Sequence, residues 1–159
     1  SRHIGDCTGF DQNALLYAGL LHDVGKAQTR PETLNKTTGW TPADTREVMR
    51  HVLDGYRLIR GYFDFSAEII LWHHRFQANG YPEKLPAPLH GSSRGTNVTI
   101  AMYGRLLALA DCFDALHRVN EKFGARQVLT SGQVREKMLA LNPDQQKLIE
   151  RLYNVCIFV

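Results

Sequence analysis

"HHRFQANGYP", residues 73 to 82, sets two adjacent histidines at the end of an apolar stretch and just ahead of a Gly-Tyr-Pro turn. Burying two neutral imidazoles requires partners for four ring nitrogens, and a metal ion backed by carboxylates supplies them economically. Upstream, the sequence reads as a short helix opened by Asp64 or Ser66 and continued through Ile69, Ile70 and Trp72 to the histidines. Downstream, residues 76–97 contain Gly80, Pro82, Pro86, Pro88, Gly91 and Gly95 and read as a long loop, a kind often used as a lid or binding loop. Other polar residues at a distance must complete the set if these imidazoles hold a metal.

The remaining segments are predicted helices. Asp11 caps one in which Leu15, Leu16, Gly19 and Leu20 follow helical spacing to about Lys26. "TPAD" at 41–44 opens another, with Thr41 as N-cap, Pro42 at the first helical position and Asp44 in the first turn; Val48, Val52, Tyr56 and Ile59 form its apolar stripe. A long apolar helix starts at Asn97 and carries Leu106, Leu107, Ala110 and Phe113. Two more run from about Ser131 to Leu141 and from Pro143 onward, the last with "NPDQ" as its cap signature. Residues 27–40 are polar, carry Pro31 and Gly39, and read as a second long loop. No alternation of strands and helices is present, so the expected fold class is all-α, in one domain.

Composition narrows the functional classes. The 159 residues are 43% hydrophobic and 22% charged, as in ordinary globular proteins. A net charge of +3 suits an anionic small ligand and is too small to argue for a nucleic-acid polymer. No apolar run approaches the roughly 20 residues needed to cross a bilayer. Cys7, Cys112 and Cys156 are odd in number and lack C-x-x-C spacing, which reads as reduced thiols in a cytoplasmic protein. The chain starts without Met and without a signal-peptide pattern, and is read as part of a longer protein.

Within these helices several polar residues occupy positions that apolar ones would be expected to fill. Asp111 lies inside "RLLALADCFDAL" on the face of Leu107 and Ala115, where a carboxylate costs several kcal/mol without a cation or donors. Asp114, one turn on, either orients the partners of Asp111 or faces water. His22 and Asp23 end an apolar helix and diverge by about 100° around it, so they can grip one centre from two sides. Asp23 offers two oxygens that can bridge metals, and Lys26 lies at same-face spacing to reach a phosphate oxygen. His51 sits between Val48 and Val52 on or beside a core stripe. Each residue alone has a structural explanation as a cap, an ion pair or a satisfied core histidine. Together they run in the order His-Asp, His, His-His, Asp on separate helices, too many ligands for one four-coordinate zinc. His3, His90 and His117 are left as surface or loop residues.

This order resembles the HD superfamily of metal-dependent phosphohydrolases, and within it the HD-GYP branch of cyclic di-GMP phosphodiesterases. The matching pieces are "HDVGK" at 22–26, "RHVLDGYRLI" around His51, "HHRFQANGYP" at 73–82 and "ADCFDAL" at 110–116. The resemblance implies an all-α bundle around two divalent transition metal ions, iron or manganese first, with zinc, nickel or cobalt as alternatives. It implies His22, Asp23, His51, His73, His74 and Asp111 as ligands, Asp23 as the bridge, both imidazoles of the pair on the second metal, and Lys26 on the scissile phosphate. Asp23 and Lys26 would then be the catalytic residues, and hydrolysis of a cyclic dinucleotide would use a metal-activated hydroxide. Gly80, Tyr81 and Pro82 match the signature turn, which would follow the ligand helix out of the site, serve a protein partner and border the substrate. A homodimer is compatible with this picture, which includes no membrane.

The chain also departs from the family pattern. The first family ligand, a histidine upstream of the His-Asp pair, has only His3 as a counterpart, and the reading favours a ligand before residue 1; the glutamate supporting a third metal is missing for the same reason. "HHE" reads "HHR" with Arg75, and the turn after it is a residue shorter. In place of a basic Arg-Pro-Tyr-Arg-like motif stands "HRVNEKFGAR", where Arg118 or Lys122 would have to contact the substrate. Two other readings therefore stay open: an inactive sensor or docking module, and a phosphohydrolase of another nucleotide.

Overall fold

A computed structural model describes residues 2–88, 93–118 and 128–159. The elements in chain order are α1 (Arg2–Thr8), α2 (Gln12–Leu21), a 3₁₀ turn (Val24–Gln28), α3 (Pro31–Leu34), α4 (Pro42–Met49), α5 (His51–Ile59), α6 (Asp64–Ile70), α7 (Arg94–His117), α8 (Ser131–Leu141), a second 3₁₀ turn (Pro143–Gln145) and α9 (Gln146–Asn154). Among the described residues there is no strand, as the all-α expectation required. None of their helices is long and apolar enough to cross a membrane.

The centre is α7. From Tyr103 to Leu109 every residue is buried, so this helix has no solvent face along that stretch. Around it pack Leu15 and Ala18 of α2 and Ala67, Ile69 and Ile70 of α6, and α5 joins the same core through α6 with Val52, Tyr56 and Ile59. The helix pair α8–α9 closes the C-terminal part of the same core with Val134, Met138, Ile149 and Leu152. The phenol of Tyr103 accepts from the Asp11 backbone N–H at 2.9 Å and fixes the start of α2 against α7.

Two expected caps form as their chemistry dictates. Asp11 accepts from Ala14 N–H, and Thr41 and Asp44 complete a reciprocal capping box with Pro42 in the first turn. Elsewhere the structure corrects the sequence reading. The helix from Asp11 stops at Leu21 rather than about Lys26, because the chain turns at Asp23 and runs as a 3₁₀ turn against α5. The helix after Thr41 is broken at Arg50 into α4 and α5, and α6 ends before Trp72, leaving both histidines on turns. Residues 27–40 contain α3 rather than being wholly irregular, and the long helix starts at Arg94, capped by Ser93 on Thr96 N–H. Within 76–97, residues 76–88 are irregular as expected, and residues 89–92, with His90, lie outside the described residues. Asn142 does not cap the turn after it; its amide bonds Arg105 and the Met138 carbonyl instead. Cys112 and Cys156 are free.

Carboxylates tie the peripheral turns down. Glu47 accepts a forked pair of bonds from Arg30, closest at 2.7 Å, and another from Thr33 at 2.9 Å, which holds its carboxyl down at about 2. Arg105 likewise holds Asp144 at about 2. Both groups bind protons more readily in the unfolded chain, so their stabilisation is present above about pH 4 and is lost as pH falls toward about 2. Acid unfolding followed by circular dichroism is expected to fall in that window. Glu47→Gln should make it shallower, and an acid transition that the substitution leaves unchanged would contradict this assignment.

Candidate metal centre

The site is built where three chain reversals meet the middle of the bundle. After α2 the chain turns into Val24–Gln28, and Gly25 lies so close to α5 that a Cβ there would stand 1.9 Å from the His51 carbonyl oxygen and 2.4 Å from Gly55 N. Only glycine permits that approach, and it brings Asp23 beside His51. The break between α4 and α5 places His51 at the first turn of α5, 1% exposed. The end of α6 places His73, fully buried, opposite it. Asp111 comes from the far half of α7.

The three histidines share one bonding pattern. His22, His51 and His73 each direct Nδ1 at the backbone carbonyl three residues earlier: Gly19 at 2.7 Å, Val48 at 2.6 Å and Ile70 at 2.6 Å. A carbonyl only accepts, so each Nδ1 carries the proton and each Nε2 presents a lone pair. Those lone pairs converge. His51 Nε2 is 3.4 Å from His73 Nε2 and 3.4 Å from one Asp23 oxygen. His22 Nε2 is 3.4 Å from the other Asp23 oxygen and 3.6 Å from Asp111, and is buried with no hydrogen-bond partner. Two imidazole lone pairs facing each other beside a carboxylate repel unless a cation lies among them.

His74 differs. Its ring lies 4.0 Å from His73, and its Nδ1 is 2.9 Å from the Gln77 side-chain nitrogen. Rotation of the Gln77 amide exchanges donor for acceptor, and with the oxygen facing the ring Nδ1–H is held and Nε2 is freed. Ligand atoms of His51, His73 and His74 all lie within 4.8 Å of one another, close enough to share an ion. His3 sits exposed on α1 and contributes no atom to that cluster.

The electrostatics also suit a metal. Burial pushes the imidazoles of His51, His73 (to about 4) and His74 (to about 2) below their ordinary values, so they are neutral near pH 7, the form a metal requires of an imidazole. Burial opposes ionisation of Asp23, but His22 and then Lys26, at 2.6 Å, keep it below the usual carboxylate range. Burial likewise opposes ionisation of Asp111, which His22 nevertheless holds low. Burial would depress His22, yet Asp111 and Asp23 together raise it, as expected of a nitrogen placed where a positive charge belongs. His51, His73 and His74 thus form one group close enough to share an ion, and His22 meets Asp23 and Asp111 beside it, joined to that group by the Asp23–His51 contact; imidazoles and carboxylates together are donors that suit a divalent metal.

The remaining expected site residues fall differently. The signature turn does not leave the site: Tyr81 stacks back on His74, with centroids 4.5 Å apart, and meets His51 edge-on at 6.1 Å. Arg75 draws it back by donating to the carbonyls of Pro82 and Glu83, the latter at 3.1 Å. Gly80 packs so tightly on the Arg75 backbone that a Cβ would stand 2.4 Å from its carbonyl oxygen. Arg118 is exposed and paired with Asp114, which faces solvent. Lys122 lies outside the described residues. A groove of about 320 Å³ reaches the site between α2 and α7, lined by Leu16, Leu20, His22, Leu107, Asp111 and Asp114. Sequence reasoning missed Gln77, although its i+3 spacing from His74 was visible, and missed Gly25, whose role depends on a tertiary contact.

Gly25→Ala tests this geometry. The added methyl meets backbone on both sides, so the 3₁₀ turn and α5 must separate. A cost of about 3 kcal/mol is expected, with weakened metal uptake, read by thermal unfolding and by Mn(II) titration. A variant that keeps wild-type stability would contradict the close approach.

Comparison with known proteins agrees with this frame. The chain is 30% identical over 142 residues to the 3'3'-cGAMP-specific phosphodiesterase 2 of Vibrio cholerae, covering 85% of this chain and 25% of that protein. It is 33% identical over 104 residues to the cyclic di-GMP phosphodiesterase response regulator RpfG of Xanthomonas campestris, covering 62% and 25%. It is also 30% identical over 105 residues to a cyclic di-GMP phosphodiesterase of Thermotoga maritima, covering 63% and 26%. The chain thus spans about a quarter of the length of these curated relatives. A family model described as the HD domain matches residues 1–116, most of the chain. Family order, helical frame and relatives all point the same way: this chain belongs to the HD domain family, whose phosphohydrolases are metal-dependent.

Proposed function

We propose that this chain is the catalytic unit of a phosphodiesterase that hydrolyses a cyclic dinucleotide, cyclic di-GMP first, and that His22, Asp23, His51, His73, His74 and Asp111 hold two transition metal ions, iron or manganese. The observation that carries the reading is the convergence of buried Nε2 lone pairs on Asp23, whose two oxygens face different histidines. One tetrahedral ion could not use all six side chains, so the set would suit two ions, with Asp23 the residue whose two oxygens could serve both. The relatives named above act on cyclic di-GMP or 3'3'-cGAMP and support the substrate class.

When bound, the metals supply Lewis acidity to the phosphodiester and to the attacking water. The protein's own contribution is positioning. Asp23 and the Nδ1–H···O=C bonds of the three histidines fix the donor atoms before substrate arrives. Lys26, its side chain 35% exposed, sits at the rim beside Asp23 and can donate to a phosphate oxygen. Tyr81 walls the His74 side of the site with its ring. Pro82 is buried, so Gly80 within the signature turn, with Glu83 and Lys84 just after it, are the exposed residues that a protein partner would meet. Free Cys112 and Cys156 suit a cytoplasmic setting.

Arg118 engages Asp114 rather than standing free to read a base, which favours testing other nucleotides beside cyclic di-GMP. The test is turnover of a panel of cyclic dinucleotides by the metal-loaded chain. Lys26→Ala is expected to retain metal while losing about 100-fold in kcat, the scale of one lost donor to a developing charge. His73→Ala should lose metal and turnover together with helix content retained. Metal-loaded protein that binds a cyclic dinucleotide without cleaving it would establish the sensor reading instead.

A further inference from the structure

Arg105 is the one charged side chain in the fully buried stretch of α7, and the metal centre as described does not use it. It is 7% exposed, and its guanidinium is fully engaged on one side. Nε and Nη2 donate to the two Asp144 oxygens at 3.0 and 2.6 Å, and Nη1 and Nη2 both donate to Asn142 Oδ1 at 3.0 Å. Asn142 is buried in turn and donates to the Met138 carbonyl at 2.9 Å. On its other side the guanidinium lies 5.1 Å from the ring centre of Phe76, within cation–π range. Phe76 stacks on Trp72, and Trp72 presses on Gly104, where a Cβ would stand 2.2 Å from the Trp72 Cβ. Trp72 and Phe76 bracket His73 and His74, which lie on turns that no regular helix rigidifies.

We infer that Arg105 is a positioning residue: with Gly104 it clamps the Trp72–Phe76 segment that carries His73 and His74, and it fastens that clamp to the α8–α9 helix pair through Asn142 and Asp144. These helices lie beyond residue 116, the end of the family match, and through this contact they support the metal site from outside. The inference rests on the metal-centre reading and not on the identity of the substrate. An ion pair whose only role was to stabilise the fold would not need Phe76 on its second face. A support for the ligands does, because the guanidinium plane fixes the ring that ends the ligand segment.

The experiment measures Mn(II) affinity by calorimetry for the chain and for Asp144→Asn, Phe76→Leu, Arg105→Lys, the Phe76→Leu/Asp144→Asn double variant and Arg135→Gln. Arg135 pairs with Glu150 between α8 and α9 without touching Arg105, so its variant loosens the same helix pair by another route. Asp144→Asn, Phe76→Leu and Arg105→Lys are each expected to weaken Mn(II) about 10-fold, the range of residues that orient ligands. The double variant should lose less than the product of its parts, because both act through one guanidinium, and Arg135→Gln should bind as wild type does. Wild-type affinity in Asp144→Asn, or equal losses in Asp144→Asn and Arg135→Gln, would overturn the inference while leaving the metal centre standing. A wild-type chain that takes up no Mn(II) would overturn the metal centre and this inference with it.

Discussion

Two imidazole nitrogens 3.4 Å apart, each with its proton committed to a backbone carbonyl on the far side of its ring, constitute the constraint on which the structure turns. Such an arrangement repels in isolation and is held only by surrounding structure or by a positive charge between the rings. Burial makes a proton a poor choice, since it disfavours the charged ring, and the nearby Asp23 makes a metal ion a good one. The fold can be understood as the means of keeping this arrangement in place. α7 runs buried through the middle, α2 and α6 pack on it with α5 against α6, and α2, α5 and α6 each bring their candidate ligands in at a helix end or break where side chains can turn inward.

Helix breaks do more here than end elements. Had α2 continued through Asp23, His22 and Asp23 would stay about 100° apart on its surface, fixed by helical geometry. Turning at Asp23 instead lets one carboxylate address His22 and Lys26 with one oxygen and His51 with the other. The break at Arg50 and the end of α6 do the same for His51 and His73. These are places where local propensity yields to the site, as expected where function rather than stability sets the backbone.

That division explains what the sequence revealed. Helix identity was legible from the apolar spacing of Leu15, Val52, Ile70 and Leu107 and from the caps at Asp11 and Thr41, because both signals are local. The residues that meet at the centre were legible as polar intrusions in apolar stretches, ordered along the chain as in the HD family. The lost details were tertiary. Nothing near Gly25 announces that α5 passes within van der Waals distance, and Asn142 looked like a cap because its buried partner, Arg105, is far away in sequence. The Gly-Tyr-Pro turn reads in sequence as leading away from the site because the bonds from Arg75 that fold Tyr81 back onto His74 depend on loop geometry.

The central claim is that His22, His51 and His73 are Nδ1–H tautomers offering Nε2 to a metal. Long-range ¹H–¹⁵N correlation spectra of the histidine rings, recorded while the chain is titrated with diamagnetic Zn(II), test it most directly. The account predicts Nδ1–H rings throughout, with the three Nε2 resonances moving together to metal-bound positions as zinc is added. Rings carrying the proton on Nε2 with Nδ1 bare, or Nε2 resonances indifferent to zinc, would contradict it.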